Sequence, residues 1–244
     1  EWGTTPMKTL RYLAAAAIAA GFMAAPANAT TFVFKGDGLN VTPTNVGNVD
    51  DSCATSGGTS NDLCTIDDAE GFDYSLEGVN LNVKAYAGVS DFDDLSANTA
   101  TRLIQDINPA DSGLGAWSET DSSDDQTQFD AMEAIRFVFD EEQTVTNVEF
   151  NAGGDTNCST FGSEGPCGDF DLYIDGAFIA TITAIDNIAL LGTGMDFLLV
   201  AVTEGAGFTI AQMTVGEVPV PAALPLLLSG LAGLGFASRR RKTA

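Results

Sequence analysis

The chemistry open to this chain of 244 residues is set by its carboxylates, because it contains 34 Asp and Glu residues and no His. Without His, the usual Ser-His and Cys-His nucleophile pairs and His-based metal sites cannot be built. Two carboxylates can hydrolyse a glycoside when they lie roughly 5–9.5 Å apart. So many pairs exist here that none stands out. The sequence therefore predicts a protein that is not an enzyme, with a carboxylate hydrolase as the weakest alternative.

Calcium is the cofactor that these carboxylates fit best, because it binds about seven oxygen ligands, mostly from carboxylates and carbonyls. The preferred ligands are Asp169, Asp171 and Asp175, since a sheet would hold them in place and like charges held together invite a cation. Residues 91–94 and 121–125 form further acidic clusters. None of the three has the residue order of an EF-hand loop, and a solvated acidic surface is the alternative interpretation.

The net charge limits the classes of partner. The whole chain carries −24, and residues 30–217 hold 33 acidic and four basic residues, a net charge of about −29. This charge repels nucleic acid and anionic lipid surfaces, so nucleic-acid binding is excluded. It either adapts the protein to a salty or calcium-containing medium or supports specific cation binding.

Trp117 is the candidate for carbohydrate binding. It lies in the stretch GLGAWS at residues 113–118. An exposed aromatic ring in a carbohydrate-binding sandwich stacks on a sugar, whereas a lone Trp also packs well in a core or an interface. The sequence leaves both interpretations open.

The four cysteines occur as two close pairs, Cys53 with Cys64 and Cys158 with Cys167. In an exported chain this spacing predicts two short-loop disulfides, although four cysteines allow three connectivities and the sequence does not choose among them. Each bridge would stabilise the fold by roughly 3 kcal/mol on the chain-entropy model. Zinc is disfavoured, since the chain has neither a Cys-x-x-Cys motif nor a His.

The elements that must position these residues are strands. Beyond residue 30 the apolar residues alternate or form short runs, and helical spacing is scarce. Short strands joined by Gly, Asn and Asp predict an all-β fold, namely an antiparallel β-sandwich of jelly-roll type. The predicted strands are residues 31–34, 79–86, 135–139, 145–150, 170–174, 178–182, 197–202 and 208–215.

Residues 169–182 predict a β-hairpin. Phe170, Leu172 and Ile174 alternate with polar residues, so they would face one side of the sheet while the three candidate carboxylates face the other side. Asp175-Gly176 has the composition of a tight two-residue turn. The preferred calcium ligands therefore belong to one strand and its turn.

The N-terminal part has the layout of a secretory signal peptide, assigned to residues 7–29. Lys8 and Arg11 frame a short basic region before an apolar stretch, and Ala27-Asn-Ala29 is a small-x-small cleavage pattern. Residues 1–6 are interpreted as an upstream extension. The mature chain is expected to begin near Thr30; a buried Ala-rich helix is the alternative.

The C-terminal part predicts a single transmembrane helix. Residues 218–238 contain no charged residue, and this length suits a helix that crosses a hydrocarbon core roughly 30 Å thick. A basic tip follows, made of Arg239, Arg240, Arg241 and Lys242. By the positive-inside preference the tip stays cytoplasmic and the acidic body lies outside.

The order of proline motif, apolar span and Arg-rich tip within residues 218–244 resembles the PEP-CTERM class of bacterial C-terminal sorting signals. The motif is similar to the VPLPA-type variant, with Val220 in place of Leu, and consists of Val218, Pro219, Val220, Pro221 and Ala222. The resemblance implies a Gram-negative bacterium and an exosortase-like membrane protease that recognises the motif and cuts near it. It also implies a link with exopolysaccharide and biofilm. It assigns no catalytic residue.

A looser resemblance concerns the ectodomains that commonly carry this signal, whose pattern of strands is similar to that of residues 113–176. It implies a β-sandwich ectodomain. The expected organisation places the N-terminal part of the ectodomain, with strands and loops, at residues 30–112 and its β-sandwich core at residues 113–217. Whether these parts form one domain or two is left open.

These features together predict an exported protein of the cell surface or extracellular matrix, anchored transiently or permanently in the inner membrane, with a structural or adhesive role. The expected partners are the exosortase-like protease, the inner membrane and exopolysaccharide. The main alternative is a calcium-assisted carbohydrate-binding module.

Overall fold

An antiparallel sheet makes up almost all of the structure. The computed structural model describes residues 29–51, 62–107, 113–117, 127–128, 132–152, 156–158, 167–185, 187–203 and 207–217. In chain order the strands are β1 (Ala29–Val33), β2 (Val49–Asp50), β3 (Leu63–Thr65), β4 (Phe72–Leu76), β5 (Val79–Tyr86), β6 (Ala100–Gln105), β7 (Leu114–Trp117), β8 (Thr127–Gln128), β9 (Ala134–Ala152), β10 (Thr156–Asn157), β11 (Asp169–Ile174), β12 (Ala177–Thr183), β13 (Asn187–Ala201) and β14 (Gly207–Glu217). Two short 3-10 turns, Val46–Asn48 and Phe92–Asp94, are the helical elements of these ranges. The prediction of an antiparallel all-β fold is confirmed.

β9 pairs along both of its edges and thereby closes the sheet. Its first part, residues 134–139, lies between β5 and β13, and its later part lies between β14 and β13. From β14 the pairing continues through β7 and β6 to β5, which returns to β9. The sheet therefore encloses a core. Beyond β9 the strand order continues through β13 and β11 and ends at β12.

The sequence predicted two strands, residues 135–139 and 145–150, where the structure has the single strand β9. Five residues, 140–144, separate the two predicted strands, and the first three, 140–142, are acidic. In the structure these acidic residues are exposed, and the strand runs on through them. The pairs Gly194–Gln143 and Asp196–Val138 enclose one residue of β13 and four residues of β9, so β9 bulges here. Such a bulge bends a strand without ending it, which is why the prediction of two strands was wrong.

Two tight hairpins have the same turn geometry. Asp175 and Gly176, with φ of 50° and 82°, join β11 to β12 as the sequence predicted. Glu77 and Gly78, with φ of 52° and 87°, join β4 to β5. Positive φ at both central residues is the requirement of the two-residue turn that matches the twist of paired strands.

The region of residues 30–112, left open by the sequence as strands, a second domain or loops, supplies strands of the same sheet. β1 pairs with β14, and β5 pairs with β9. All described residues lie in one compact unit, Asn28–Val218.

Aromatic side chains dominate the core inside the closed sheet, called here the main core. Phe150, Phe170 and Phe208 form a cluster with ring centroids 5.2–5.7 Å apart. Such pairs add about 0.5–1.5 kcal/mol each beyond the burial of apolar area. The buried Tyr74 hydroxyl donates a hydrogen bond to Gln105 Oε1 at 3.1 Å, and burial raises the pKa of Tyr74 well above its usual value. Burying a hydroxyl without a hydrogen-bond partner is costly, and Gln105 provides that partner for Tyr74.

One disulfide of the main core links the residue after β10 to a residue shortly before β11. Cys158 and Cys167 are bonded, as their spacing predicted, with Cα atoms 5.3 Å apart and both side chains buried. Cys64 is buried in β3, and Cys53 lies outside the described residues. None of the described cysteines is a free thiol.

The predicted signal peptide and sorting segment lie outside the described ranges, apart from Ala29, which begins β1. Within those ranges the structure contains no helix with the length and apolar character needed to cross a membrane.

Closure of the sheet requires Gly113, so we predict that Gly113→Ala destabilises the fold. A Cβ at Gly113 would lie 2.7 Å from the carbonyl carbon of Ile210 and 3.0 Å from Ala211 Cα, beside the pair of Leu114 and Ile210 that joins β7 to β14. Because these are backbone atoms, the overlap should lower the free energy of unfolding by roughly 2–3 kcal/mol.

Gly47→Ala is the matched control, because nothing lies within 4 Å of a Cβ there. Denaturant unfolding of the disulfide-intact protein measures both variants, and the control should change stability by less than about 0.5 kcal/mol. Equal stability of the two variants would contradict closure through β7 and β14.

Candidate functional site

A second, smaller apolar cluster lies on the face of the sheet that points away from the main core, and we call it the outer cluster. Along β13, Leu198 and Val200 face this cluster while Phe197 and Leu199 face the main core. The buried members of the outer cluster are Tyr86, Val89, Ala134, Leu198 and Val200, with Phe92, Leu95, Ala100 and Tyr173 packed against them. The segment of residues 87–99 thus covers this part of the sheet.

An ion pair between Arg136 and Asp196 stabilises the edge of the outer cluster, called here its rim. Arg136 on β9 donates from Nε to Asp196 Oδ1 at 2.9 Å and from Nη2 to Asp196 Oδ2 at 2.5 Å. The Arg136 guanidinium also lies 5.3 Å from the ring centroid of Phe92. The hydrogen bond to Asp196 raises the pKa of Arg136 above its usual range. A bidentate pair of this kind fixes both distance and orientation, so it ties β9 to β13 and to the covering segment.

Asp175, one of the predicted calcium ligands, has a structural role at this rim. Its Oδ1 accepts hydrogen bonds from the backbone N–H groups of Met195 and Asp196, each at 3.0 Å. These two residues lie where β13 faces the bulge of β9. The turn of the β11–β12 hairpin is therefore fixed to the same strand that carries the partner of Arg136.

The three predicted calcium ligands do not form a metal site. Asp169 and Asp175 lie at opposite ends of β11, and six residues of strand span about 20 Å. Asp171 Oδ1 accepts a hydrogen bond from Thr181 Oγ1 at 2.5 Å. Within the described part of the chain, no group of three His, Cys, Asp or Glu side chains could hold a metal ion. Residues that are close in the sequence are therefore spread along the sheet here, because an extended strand separates the side chains that it carries.

The three aspartates of the turn 91–94 and Asp171 lie around Tyr173. Burial raises the pKa of Tyr173, and the negative charges of Asp171, Asp91, Asp93 and Asp94 raise it further. Within the turn, Asp91 Oδ1 accepts from the N–H groups of Asp93 and Asp94. Hydrogen bonds from the Ser90 side chain and backbone lower the pKa of Asp94. These carboxylates therefore cap a turn and charge the surface beside it.

The remaining predicted site residues lie at the margin of the described ranges or beyond it. Trp117 ends β7 opposite Arg102, but its side chain lies outside the description. The acidic residues 121–125, the sorting motif 218–222 and the basic tip 239–242 fall in undescribed ranges as well.

Sequence reasoning missed Arg136 and the exposure of β12. One signal for Arg136 was available, because it is one of four basic residues in the strongly acidic span 30–217 and lies inside a predicted strand. Exposure of β12 had a weaker signal, namely seven uncharged residues after the turn. In β12, Phe178 is 54% exposed, and its ring contacts that of Tyr173 at 5.6 Å between centroids.

The arrangement offers a contact surface with uncharged and acidic parts. On the described surface around the outer cluster, Arg136 pairs with Asp196 and Asp91 caps a turn. The hydroxyls of Thr181 and Ser90 donate hydrogen bonds to Asp171 and Asp94. This geometry suits binding by surface contact.

We predict that the Arg136–Asp196 pair couples more strongly than the chain's other described ion pair. Its side chains are only 26% and 16% exposed and its hydrogen bonding is bidentate. A double-mutant cycle with Arg136→Gln and Asp196→Asn should give a coupling energy of about 1–2 kcal/mol in denaturant unfolding.

Lys35 and Glu149, joined by one contact of 2.7 Å at similar exposure, provide the comparison. The cycle with Lys35→Gln and Glu149→Gln should give about 0.5 kcal/mol. A coupling energy at Arg136 no larger than this value would show that the rim is not fastened as described.

Comparison of the chain with protein-family models, with curated proteins and with solved structures gives no match. Proposals about function therefore depend on the residues of this chain and on the geometry described above.

Proposed function

We propose that this protein is exported to the cell surface or extracellular matrix of a Gram-negative bacterium, where it has a structural or adhesive role. The observation that carries the proposal is the Cys158–Cys167 disulfide in the main core. Disulfides form and persist in oxidising compartments and are rare in the cytosol. The disulfide thus supports the export that the signal-like residues 7–29 predict.

The proposed sorting route uses residues 218–244 as an inner-membrane helix and an exosortase-like protease that cuts near the proline motif. The pairing of the first and last described strands supports this route. Ala29 in β1 pairs with Gly216 in β14, so the predicted signal cleavage site and the start of the sorting segment leave neighbouring strands. Once the signal is removed, the sorting segment alone would tether the body until it is cut.

The proposed architecture of the body is a jelly-roll-like β-sandwich, a flattened form of the closed antiparallel sheet. Bulges in β13 and β14 support this proposal, because bulges allow long strands to bend from one layer to the next. An acidic body whose strands are joined by short turns suits a protein that acts through its surface.

Sorting is tested with the full chain in a Gram-negative host that has an exosortase-like protease. We expect the wild type to lose its C-terminal segment, as measured by intact mass, and to reach the surface fraction with Cys158 and Cys167 oxidised. The variant with Pro219→Ala and Pro221→Ala should stay in the inner membrane at full length, because the protease lacks its motif.

A change of Pro166→Ala is the matched control, since this proline lies outside the sorting segment. Equal processing of wild type and motif variant would refute the sorting route. Retention of both in the cytosol with reduced cysteines would refute export itself.

A calcium-assisted carbohydrate-binding module is the second candidate, favoured by the exposed Phe178 next to Tyr173 and the acidic turn 91–94. Exposed aromatic rings stack on sugars. If this candidate is correct, polysaccharide from the producing cells should bind saturably, and Phe178→Ala should weaken binding about tenfold or more, a loss of about 1.4 kcal/mol.

Calorimetry of the full protein measures this binding, with Ile66→Ala, another exposed apolar site, as the control. Because the described carboxylates form no metal site, we expect calcium and magnesium to have equal effects on thermal melting. A calcium-selective, saturable rise in melting temperature would contradict that expectation and favour the carbohydrate-binding module.

A further inference from the structure

β12 is an open edge of the sheet. Among the described strands it pairs only with β11, and it ends the strand order. Its seven residues, Ala177–Thr183, include no charge and no proline. Phe178 and Ile179 are 54% and 50% exposed. A strand edge presents unpaired N–H and C=O groups, and native proteins commonly block such edges with charges, prolines, bulges or covering segments.

The opposite end of the strand order, β1, is blocked. The Asn40 side chain donates from Nδ2 to the carbonyl of Thr31 at 2.8 Å and accepts at Oδ1 from the N–H of Val33 at 2.9 Å. The Asn40 backbone N–H donates to the carbonyl of Val33 at 3.4 Å. Asn40 thus takes the place that the next strand would fill, and β12 has no equivalent residue in the described ranges.

A bulge limits how much of β12 can pair. Leu172 lies opposite Ala180 and Tyr173 opposite Phe178, so Ile179 is the extra residue. From Ala180 to Thr183 the strand is regular. A new strand would therefore pair with residues 180–183 and stop at the bulge.

We propose that this edge docks a second copy of the chain, with the two β12 strands antiparallel about Thr181. In this register Thr181 lies opposite Thr181 of the second copy, and Ala180 lies opposite Ile182. Opposite residues then share a face of the continued sheet, as the pleat requires. Thr–Thr pairs directly opposite each other are favourable. The proposal does not depend on export.

Charge favours a second copy over other occupants. A copy of so acidic a chain is tolerated only where neither surface brings charge into the contact, and residues 176–185 contain none. A basic partner would instead favour the carboxylates of the turn 91–94 over an uncharged strand. The two β12 strands match each other because both are uncharged and rich in β-branched residues.

Like charges on the two copies predict a salt dependence. Asp171 lies opposite Thr181 in β11, so Asp171 of each copy would be separated by three strand spacings, about 14 Å. The Debye length is about 8 Å at 0.15 M salt and about 30 Å at 0.01 M. The repulsion is therefore screened at physiological ionic strength and strong at low salt, and dimerisation should weaken as salt is removed.

The contact is small, and the dimer should therefore be reversible. In the register about Thr181, Thr183 falls opposite the bulge residue Ile179, so the regular pairing covers residues 180–182. This contact buries less than the roughly 1,200–2,000 Å² of a stable interface. Dissociation at micromolar or higher concentration is expected. Crowding of tethered copies on one surface would raise their effective concentration.

The test uses the full chain in detergent micelles and sedimentation velocity at 0.01 M and 0.15 M salt. Thr181→Glu places two carboxylates directly opposite each other and should weaken the dimer about tenfold or more. Val46→Glu adds the same charge at an exposed site away from β12 and should leave the dimer unchanged. Both variants keep the apolar C-terminal segment. Because the new carboxylate of Thr181→Glu would also lie opposite Asp171 of its own β11, and the variant loses the hydrogen bond from Thr181, Thr181→Val, which loses the same hydrogen bond without adding charge, is measured beside it and should keep the dimer. Thermal melting verifies that each is folded.

A cross-link provides a second readout that does not depend on the charge variant. Thr181→Cys should form an intermolecular disulfide between two copies of residue 181, identified by peptide mass, and its yield should rise with salt. Val46→Cys should remain monomeric under the same oxidation. If Thr181→Cys cross-links no more than Val46→Cys, or if Thr181→Glu associates like the wild type, the proposal is overturned. Protection of β12 by another segment of the same chain would give that result.

Discussion

The pairing of β9 along both edges is the constraint on which the rest of the structure depends. A strand of this length would be an aggregation hazard with either edge open. Here β5 and β14 share one edge, and β13 follows the other. Because β14 returns through β7 and β6 to β5, the sheet closes and the aromatic side chains on its inner face are enclosed. β9 also carries Arg136, so the same strand supports both the main core and the outer cluster.

Several charges of the described body have structural roles. Asp175 binds the β13 backbone opposite the bulge of β9, Asp91 caps a turn, and Asp196 orients Arg136. Each of these carboxylates accepts hydrogen bonds from backbone N–H groups or from a guanidinium, and so gives those donors an acceptor. This distribution explains how a chain with so few basic residues folds, since most acidic groups face water or bind donors.

Much of the fold could be predicted from local patterns. The alternation of Phe170, Leu172 and Ile174 and the Asp175-Gly176 turn predicted the β11–β12 hairpin, because strand period and turn chemistry are local properties. The equivalent Glu77-Gly78 turn was missed, since Glu is an unusual residue at positive φ. The continuity of β9 through residues 140–142 was also missed, because it depends on partners distant in sequence.

The candidate site was less predictable for the same reason. Asp171 and the turn 91–94 meet at Tyr173, although about 80 residues separate them in sequence. The blocking of β1 by Asn40 depends on how the chain folds back after that strand. An isolated sequence shows residue types and spacing along the chain, but spacing between strands is set by the register of the sheet.

Amide hydrogen exchange, read by peptide mass, tests the central claim that β9 unites the sheet. Peptides from residues 134–139 and from residues 143–152 should exchange together and most slowly, because both parts of β9 open only when the closed sheet unfolds. Peptides from β12 should exchange faster than those from β11 at low protein concentration. Independent exchange of the two parts of β9 would mean that they belong to separate cooperative units, and it would contradict a single closed sheet.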